Sequence, residues 1–167
     1  QMQVWFLEIN SKNFCIVLSS PSGAGKTSIS KKLLLKDNSI SLSISCTTRP
    51  MRKGESNKKD YIFLKEDHFN KLIVNNEFIE HADVFGYKYG TLKKNINKFF
   101  DKKKDVLFDI DWQGYQQLKQ SGLDVVGIFI LPPSKKELIK RLKNRGRDTK
   151  EEMKKRMNLV QDEISHF

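Results

Sequence analysis

The stretch from residue 14 to residue 34 constrains the fold more than any other part of the chain. Residues 14–18 form a short apolar run rich in β-branched side chains, which predicts a buried strand. Residues 20–27 then follow the spacing GxxxxGK[ST], with Ser20 in place of the first glycine. Apolar residues at helical spacing come next: Ile29, Leu33 and Leu34. A strand, a glycine-rich loop and a helix in this order predict a binding site for a nucleoside triphosphate.

The loop contains the residue types that bind phosphate. Gly23 and Gly25 let backbone N–H groups turn towards an anion at the N-terminus of the helix. Lys26 is expected to reach the β- and γ-phosphates, and the Thr27 hydroxyl to bind Mg²⁺. The predicted phosphate-binding residues are Ser20, Pro21, Ser22, Gly23, Ala24, Gly25, Lys26, Thr27 and Ser28. The alternative is a glycine- and serine-rich turn with a chance lysine, and the flanking strand and helix disfavour it.

The 167-residue chain is long enough for one domain with its own core. It has 31 basic and 20 acidic residues, a net charge of +11, which suits a polyanionic partner such as a nucleotide or a nucleic acid. Many of the lysines lie in predicted loops or on helix surfaces, where a solvated surface explains them. No basic, aromatic-rich sheet is evident, so we expect small-molecule substrates and no nucleic acid. Self-association is left open by the sequence.

No apolar run is long enough to span a membrane, and residues 4–9 are too few and too acidic for a signal peptide, so no membrane partner is expected. Cys15 and Cys46 both lie in apolar, strand-like runs. They are expected to be buried thiols in a reducing cytoplasm. Three scattered histidines show no metal-site spacing.

The predicted fold class is α/β, with a parallel sheet flanked by helices and the nucleotide at the carboxyl ends of the strands. Predicted core strands are residues 14–18, 106–110 and 125–131, the last of them fully buried. Predicted helices are about 26–36, 66–74, 92–100 and 112–120, followed by two more, which begin at capping boxes formed by Ser134 with Glu137 and by Thr149 with Glu152.

A mixed region interrupts this pattern and is expected to form a separate substrate lobe. Residues 41–46 predict one strand with a wet face, and residues 61–64 and 78–85 predict two more, with a tight hairpin around Gly86 and Gly90. The predicted division is a core of about 12–41 and 105–133, a lobe of about 42–97, and a helical segment of about 134–160.

Two groups of arginines are candidates for phosphate binding. Arg49 and Arg52 flank a proline-fixed turn directly after a predicted strand, and each can bind a phosphate bidentately. Arg141 and Arg145 share one helical face, and Arg156 lies on the next helix. A solvated surface remains the alternative for any one of these arginines.

Three carboxylates are also candidates. Asp109 ends a buried strand, where an unpaired carboxylate would be costly, and such a position is typical of an acidic residue beside Mg²⁺. Asp111 can instead be a helix N-cap. Glu80 alternates with Ile79 and His81 in a strand, and the pattern alone does not decide whether it points into a cleft or to water.

Taken together, these residues resemble the guanylate kinase family. The matching segments run in the family's order from about residue 14 to residue 160: Ser20-Pro-Ser-Gly-Ala-Gly-Lys-Thr27, Ser45-Cys-Thr-Thr-Arg-Pro-Met-Arg52, Gly54-Glu55, Asp60-Tyr61, Asn76-Glu-Phe-Ile-Glu80, Tyr89-Gly90-Thr91, Asp109-Ile-Asp-Trp-Gln-Gly114, Pro132-Pro-Ser134 and Arg145-Gly146.

The resemblance implies that ATP phosphorylates GMP to GDP with Mg²⁺, in a phosphate-loop fold with an inserted GMP-binding lobe and a helical lid. It implies that Arg49, Arg52, Tyr61 and Tyr89 hold the GMP phosphate. It implies further that Ser45, Glu80 and Thr91 read or support the guanine, and that Asp109 and Asp111 lie near the nucleotide and metal. Catalytic roles are expected for Lys26, Arg49, Arg141 and Arg156, and metal binding for Thr27 and Asp109.

Two features depart from the family pattern. Ser20 replaces a glycine, and the chain stops at Phe167, where the family continues into another strand and a final helix that would provide some adenine contacts. The rival interpretation is an interaction module of this fold without catalysis. Such modules usually lose the lysine of the phosphate loop, so the presence of Lys26 and Thr27 argues against it.

Overall fold

The computed structural model describes residues 13–21 and 23–145, together with positions 157, 158 and 160. Strands and helices alternate along most of this part of the chain: β1 (Cys15–Ser19), α1 (Lys26–Lys36), β2 (Ile40–Leu42), β3 (Cys46–Thr47), β4 (Ile62–Phe63), α2 (Glu66–Val74), β5 (Phe78–Val84), β6 (Tyr87–Leu92), α3 (Lys93–Phe100), β7 (Asp105–Asp109), α4 (Trp112–Gln120), β8 (Val125–Phe129) and α5 (Lys135–Arg145).

The first sheet contains four parallel strands in the order β2-β7-β1-β8. Every residue of β1 is buried, because the strand lies between β7 and β8 and is covered by packed side chains on its faces. Apolar β-branched runs such as Cys15–Ser19 are typical of strands in this position. Since parallel strands end at the same edge, the phosphate loop after β1 and Asp109 at the end of β7 meet there.

The second sheet is mixed, in the order β4-β3-β6-β5. Strands β5 and β6 form an antiparallel hairpin whose turn residues, Phe85 and Gly86, have φ angles of 53° and 80°. Two consecutive positive φ values are typical of the tight turns that match strand twist. Gly90, which we expected near the turn, lies inside β6 instead, where a Cβ would come within 3.0 Å of the Glu80 carbonyl oxygen.

A β-bulge interrupts this hairpin directly before Glu80. Phe78 pairs with Leu92 and Glu80 pairs with Thr91, so two steps along β5 oppose one step along β6. Bulges of this kind re-aim side chains and are frequent beside functional sites. The sequence pattern did not predict the bulge, because an alternating run reads the same with or without one extra residue.

The prediction of one strand over residues 41–46 is wrong. The segment forms the end of β2 and the start of β3, which belong to different sheets. Its serines Ser43 and Ser45 are buried, whereas Leu42 and Ile44 are only partly buried, so the expected wet face is the buried one. The chain crosses from the first sheet to the second here.

The prediction of a fully buried strand at residues 125–131 is also wrong. Strand β8 ends at Phe129 and lies at the edge of the first sheet. Val126, Ile128 and Leu131 are 48%, 46% and 60% exposed. A continuous apolar run is common to central and edge strands of parallel sheets, and no element of the described residues covers the outer face of this one.

The remaining helix predictions are confirmed to within a residue for α1 to α4. Helix α5 begins as predicted, with the Ser134 hydroxyl accepting from the Glu137 N–H at 3.1 Å. Leu138 and Leu142 of α5 are buried with Val160, and Met157 packs against them. The predicted Thr149–Glu152 capping box lies outside the described residues. Among the helices described, none has the length and apolar character needed to cross a bilayer.

Candidate active site

A cavity of about 490 Å³ opens between the carboxyl edge of the first sheet and one face of the second. The phosphate loop and β7 line one side of it, and residues of the second sheet with the loop after β3 line the other. Its lining includes most of the predicted site residues: Ser20, Pro21, Gly23, Gly25, Lys26, Thr27, Ser45, Arg49, Arg52, Tyr61, Glu80, Tyr89, Asp109 and Asp111. The structure therefore places the predicted nucleotide and substrate residues around one space.

The phosphate loop has the backbone geometry that its glycines predict. Gly23 and Gly25 have φ angles of 95° and 112°, in the left-handed region that favours glycine, and Gly25 precedes the first residue of α1. Ser20 is not among the residues with positive φ, so a serine replaces the family's glycine there without backbone strain. Ala24 is buried and Ser28 is exposed, and neither lines the cavity. Ser22 lies outside the described residues.

Lys26 connects the loop to the end of β7. Its Nζ lies 2.9 Å from an Asp109 carboxylate oxygen and donates to the Ile110 carbonyl at 3.1 Å. Both charged side chains are partly exposed to the cavity, at 21% and 27%. The Lys26 ammonium is thus held beside the phosphate loop by the Asp109 carboxylate and the Ile110 carbonyl. A bound phosphate can replace these contacts or add to them.

Arg49 is the most buried cation of the cavity, at 6% exposure. Its guanidinium donates to both carboxylate oxygens of Glu55, at 3.1 and 2.9 Å, and to the Pro50 carbonyl at 2.7 Å. Loss of hydration acts to lower the Arg49 pKa, but Glu55 and Tyr89 outweigh it, and the net effect raises the pKa. Arg49 therefore stays fully charged in the cavity wall.

Glu55 also orders the rest of the Arg49 loop. Its Oε2 accepts from the Arg52 backbone N–H at 2.7 Å, so one carboxylate holds both ends of the turn. Burial acts to raise the Glu55 pKa, but the bonds from Arg49 and Arg52 prevail and lower it. Arg52 itself is exposed at the cavity rim.

Two aromatic side chains lie beside the Arg49 guanidinium. The Tyr61 and Phe63 ring centres lie 5.3 and 5.7 Å from its central carbon, within the range of cation–π attraction. Tyr61 also contacts Tyr89 edge to face, with 5.9 Å between ring centres. Burial, then the Asp109 and Tyr89 charges, raise the pKa of Tyr61 to about 12, so its hydroxyl keeps its proton and remains a hydrogen-bond donor.

Glu80 points into the cavity from β5 and is only 3% exposed, so the alternative of an outward-facing carboxylate is excluded. Its Oε1 and the hydroxyl of Thr91 are buried, and neither has a hydrogen-bond partner within bonding geometry. Burial raises the pKa of Glu80 to about 7, with an opposing contribution from nearby Thr91 and a further increase from Asp111. An unpartnered buried acceptor is costly unless a ligand supplies donors.

The other predicted guanine residues lie close to Glu80 but differ in access. Ser45 is 8% exposed and lines the cavity. Thr91 pairs with Glu80 across the hairpin, is fully buried and does not line the cavity, which favours support of Glu80 over contact with a ligand. Asp111 lines the cavity and also caps α4, where its Oδ1 accepts from the Gly114 N–H at 3.1 Å.

Helix α5 lies directly on the phosphate loop. Leu138 and Leu142 approach Gly23 so closely that a Cβ there would lie 3.1 Å from each. Arg141 donates to the Ala24 carbonyl at 3.1 Å and to Glu137 at 2.9 Å, but does not line the cavity. The Arg145 side chain and all of Arg156 lie outside the described residues.

Sequence reasoning gave no role to Glu55, Gly114 or the side chains of β5 and β6 around the hairpin turn that complete the cavity wall: Ala82, Val84, Phe85 and Tyr87. A carboxylate three residues after the second arginine of the same short loop was a usable signal for Glu55. A glycine inside a predicted helix was another, since it usually has a packing or functional reason.

Comparison with known proteins identifies the family of the chain. A family model described as guanylate kinase matches residues 12–167. The guanylate kinase of Novosphingobium aromaticivorans is 51% identical over 160 residues, 95% of this chain and 72% of that protein. That of Rickettsia bellii is 47% identical over 93% of this chain and 82% of that protein. The crystal structure of guanylate kinase from Anaplasma phagocytophilum superposes with a TM-score of 0.72 at 39% identity, covering 93% of this chain and 72% of that one. Because the family model and these relatives match nearly the whole chain, this chain belongs to the guanylate kinase family.

Proposed function

We propose that this chain transfers the γ-phosphoryl group of ATP to the phosphate of GMP, giving ADP and GDP. The observation that carries the proposal is that one cavity is lined both by the phosphate loop and by the arginine, tyrosine and carboxylate side chains of the second sheet. Phosphoryl transfer needs donor and acceptor phosphates held in line, with cations where charge builds. The two walls of this cavity provide the two halves of that arrangement.

The donor wall binds the triphosphate of ATP. Backbone N–H groups around Gly23 and Gly25 face the β-phosphate at the N-terminus of α1. Lys26 moves from Asp109 and the Ile110 carbonyl towards the β- and γ-phosphates, where it stabilises charge that builds in the transition state.

The acceptor wall binds the phosphate of GMP. Arg49 is already ordered by Glu55 and stacked near Tyr61, so little side-chain entropy is lost when a phosphate binds. Arg52 adds a second positive charge, and the hydroxyls of Tyr61 and Tyr89 act as neutral donors. An oxygen of this phosphate attacks the γ-phosphorus while the bond to the β,γ-bridging oxygen breaks, and ADP leaves. The GMP phosphate is ionised, so no general base is needed.

Guanine recognition falls to Glu80, with Ser45 and Thr91 in support. Guanine presents its ring N1–H and its 2-amine side by side, and an ionised carboxylate accepts from both. Adenine offers a bare N1 acceptor at that place and no 2-amine. The buried, unpartnered Oε1 of Glu80 fits a ligand that brings donors.

The donor set at the loop mouth fits Mg²⁺. The Thr27 hydroxyl and the Asp109 carboxylate both line the cavity and provide hard oxygen ligands. The described residues contain no cluster of three metal-binding side chains, which suits an ion that takes its other ligands from phosphates and water. When bound, Mg²⁺ neutralises charge on the phosphate oxygens.

We assign residues 42–97 to a GMP-binding lobe and residues 134–160 to a lid that bears Arg141 and Arg156. In support, the second sheet lies within 46–92, and α5 contacts the phosphate loop. Closure of the two over the nucleotides would exclude water and so suppress ATP hydrolysis. Two free, buried thiols support a reducing compartment, and we place the enzyme in the cytoplasm.

A coupled assay of ADP release with GMP, and with AMP in its place, tests the proposal. We expect ADP release that depends on GMP and on Mg²⁺ and is far slower with AMP. A noncatalytic interaction module would bind GMP without releasing ADP, and that result would overturn the proposed activity.

A further inference from the structure

Helix α4 contacts the guanine-side carboxylate at a position that has no side chain. Gly114, in the first turn of α4, is buried, and a Cβ built on it would lie 2.6 Å from Glu80 Oε2 and 3.2 Å from Glu80 Cδ. Carbon and oxygen atoms do not approach so closely without a bond. The Glu80 carboxylate therefore occupies the space that any other residue at position 114 would fill.

Glycine is otherwise unfavourable at this place. It lowers helix stability relative to alanine, and the backbone of Gly114 has no positive φ that would call for it. The third atom near the missing Cβ is Ile110 Cδ1, at 3.0 Å, which is the far end of an adaptable side chain. The close approach of Glu80 is thus the feature that explains a glycine here.

One turn further along the same face of α4, Gln117 fixes the backbone of β5. Its Oε1 accepts from the His81 N–H at 3.0 Å, and its Nε2 donates to the His81 carbonyl at 2.7 Å. A side-chain amide therefore makes the pair of bonds that a neighbouring strand would make. His81 directly follows Glu80, so these bonds fix the strand at the bulge where Glu80 turns towards the cavity.

We propose that Gly114 and Gln117 are positioning residues for guanine recognition: Gly114 leaves the space in which the Glu80 carboxylate lies, and Gln117 fixes the strand that carries it. This inference rests on the proposed function, because it assigns to α4 the placement of the base-reading carboxylate. It adds a contribution from the first sheet's helix to a recognition site otherwise built by the second sheet.

If Gly114 and Gln117 position Glu80, changing either residue should alter the preference between two related substrates. A bidentate carboxylate distinguishes GMP from inosine monophosphate, which has the ring N1–H but lacks the 2-amine. If Glu80 is displaced by a fraction of an ångström, its carboxylate can no longer accept from both donors at once. The second bond, which only GMP can make, is then lost, and the two substrates become more alike. General damage to the fold would lower turnover with both substrates equally.

The test compares Gly114→Ala and Gln117→Ala with Gln120→Ala, an exposed position on the same helix. We expect kcat/KM for GMP to fall at least fivefold in the first two variants, mainly through KM, and the GMP-to-inosine-monophosphate ratio to fall at least threefold. The KM for ATP should stay within twofold of wild type in all three, which shows that each variant is folded. Gln120→Ala should match wild type throughout.

A Glu80→Ala background isolates the mechanism. With the carboxylate gone there is nothing for a Cβ at position 114 to displace, so Gly114→Ala should change kcat/KM for GMP less than twofold there. An equal loss in both backgrounds, or an unchanged substrate ratio in the single variants, would overturn the inference. If Gly114→Ala does not fold, Gln117→Ala decides by the same criteria. A wild-type enzyme inactive on GMP would refute the proposed function instead.

Discussion

Glu80 shows what a single buried side chain implies about a ligand. A carboxylate at 3% exposure with an unpartnered oxygen has lost its water without gaining a full set of donors. Such a group destabilises the unliganded protein and gains most from a ligand with two adjacent N–H donors. Recognition at Glu80 therefore depends on the hydrogen bonds that a ligand donates to its carboxylate.

Replacing Glu80 with glutamine should weaken guanine recognition. Glu80→Gln keeps the shape but turns one acceptor into a donor, which faces a guanine donor. We expect kcat/KM for GMP to fall at least tenfold, about 1.4 kcal/mol, and the GMP-to-AMP preference to narrow. Steady-state kinetics with both nucleotides measure this. An unchanged preference would refute the assignment of Glu80.

The raised Glu80 pKa should couple GMP binding to proton release. Burial raises this pKa from 4.5 to about 7, with Thr91 opposing and Asp111 adding to the shift, whereas guanine binds the ionised form. GMP affinity should therefore increase as the pH rises from about 6 to 8. Calorimetry near pH 7 in buffers of different ionisation enthalpy should show proton release on binding.

The raised Glu80 pKa also makes the stability of the folded protein depend on pH. Because the folded-state pKa lies above the unfolded value, the stabilising contribution of protonated Glu80 is complete below pH 4.5 and is lost as the pH rises to about 7. Glu80→Gln should lack this loss and also lack the pH-dependent part of GMP binding. The GMP phosphate titrates in both proteins, so the difference between them isolates Glu80.

Lys26→Ala should separate turnover from substrate binding. Lys26 lies at the mouth of the phosphate loop, on the donor wall, and the acceptor wall is independent of it. We expect turnover to fall by roughly 10²-fold or more while the GMP dissociation constant stays nearly unchanged. An equal loss of GMP affinity in equilibrium binding would contradict this role.

At the residue scale, the sequence was informative where spacing fixes chemistry. The loop at residues 20–27 was found from its spacing between a strand and a helix, and Arg49 from its place after a strand and before a proline-fixed turn. The orientation of Glu80 was not, because it depends on the bulge after Phe78 and on the approach of α4, which are tertiary features. The resemblance to a family supplied what the residues alone left open.

At the scale of elements, the N-cap of α5 offers a measurable test. Ser134 accepts from the Glu137 N–H, so Ser134→Ala should cost about 1 kcal/mol and lower Tm by about 2–4 °C. Ser134→Asp, which can accept the same bond, should restore most of the loss. Thermal unfolding followed by circular dichroism gives both values, and equal melting of the alanine and aspartate variants would argue against the cap.

Helices were easier to predict than strands in this chain. The predicted bounds of α2 and α4 are those that the structure has, and each helix packs apolar residues against a sheet. The predictions for residues 41–46 and 125–131 were wrong for the same reason. Whether a short apolar or alternating run lies inside one sheet, at its edge, or between two sheets depends on partners that are distant in sequence.

At the scale of the whole molecule, each nucleotide should stabilise the fold independently of chemistry. A ligand at 100 times its dissociation constant adds about 2.7 kcal/mol, which corresponds to a Tm increase of about 5–10 °C for a chain of this size. GMP alone should produce this shift in wild type and much less in Arg49→Ala. Differential scanning fluorimetry with GMP measures it, and a full GMP shift in Arg49→Ala would remove that arginine from the acceptor wall.

Each of the two sheets contributes a different set of residues to the cavity. The parallel sheet brings the phosphate loop and Asp109 to one edge, as its topology requires, and the mixed sheet presents Arg49, Tyr61 and Glu80 across the gap. The two sheets are joined by the segment around Ser43, by α3 between β6 and β7, and by the bonds of Gln117 in α4 to His81 in β5.

Strand β5 ends the second sheet, and an open strand edge is a template on which another chain can add by backbone pairing. Gln117 takes up the exposed N–H and carbonyl of His81 with its own amide. Gln117 therefore also blocks pairing of another chain with this strand edge. We expect Gln117→Ala to make this enzyme more prone to self-association at high concentration.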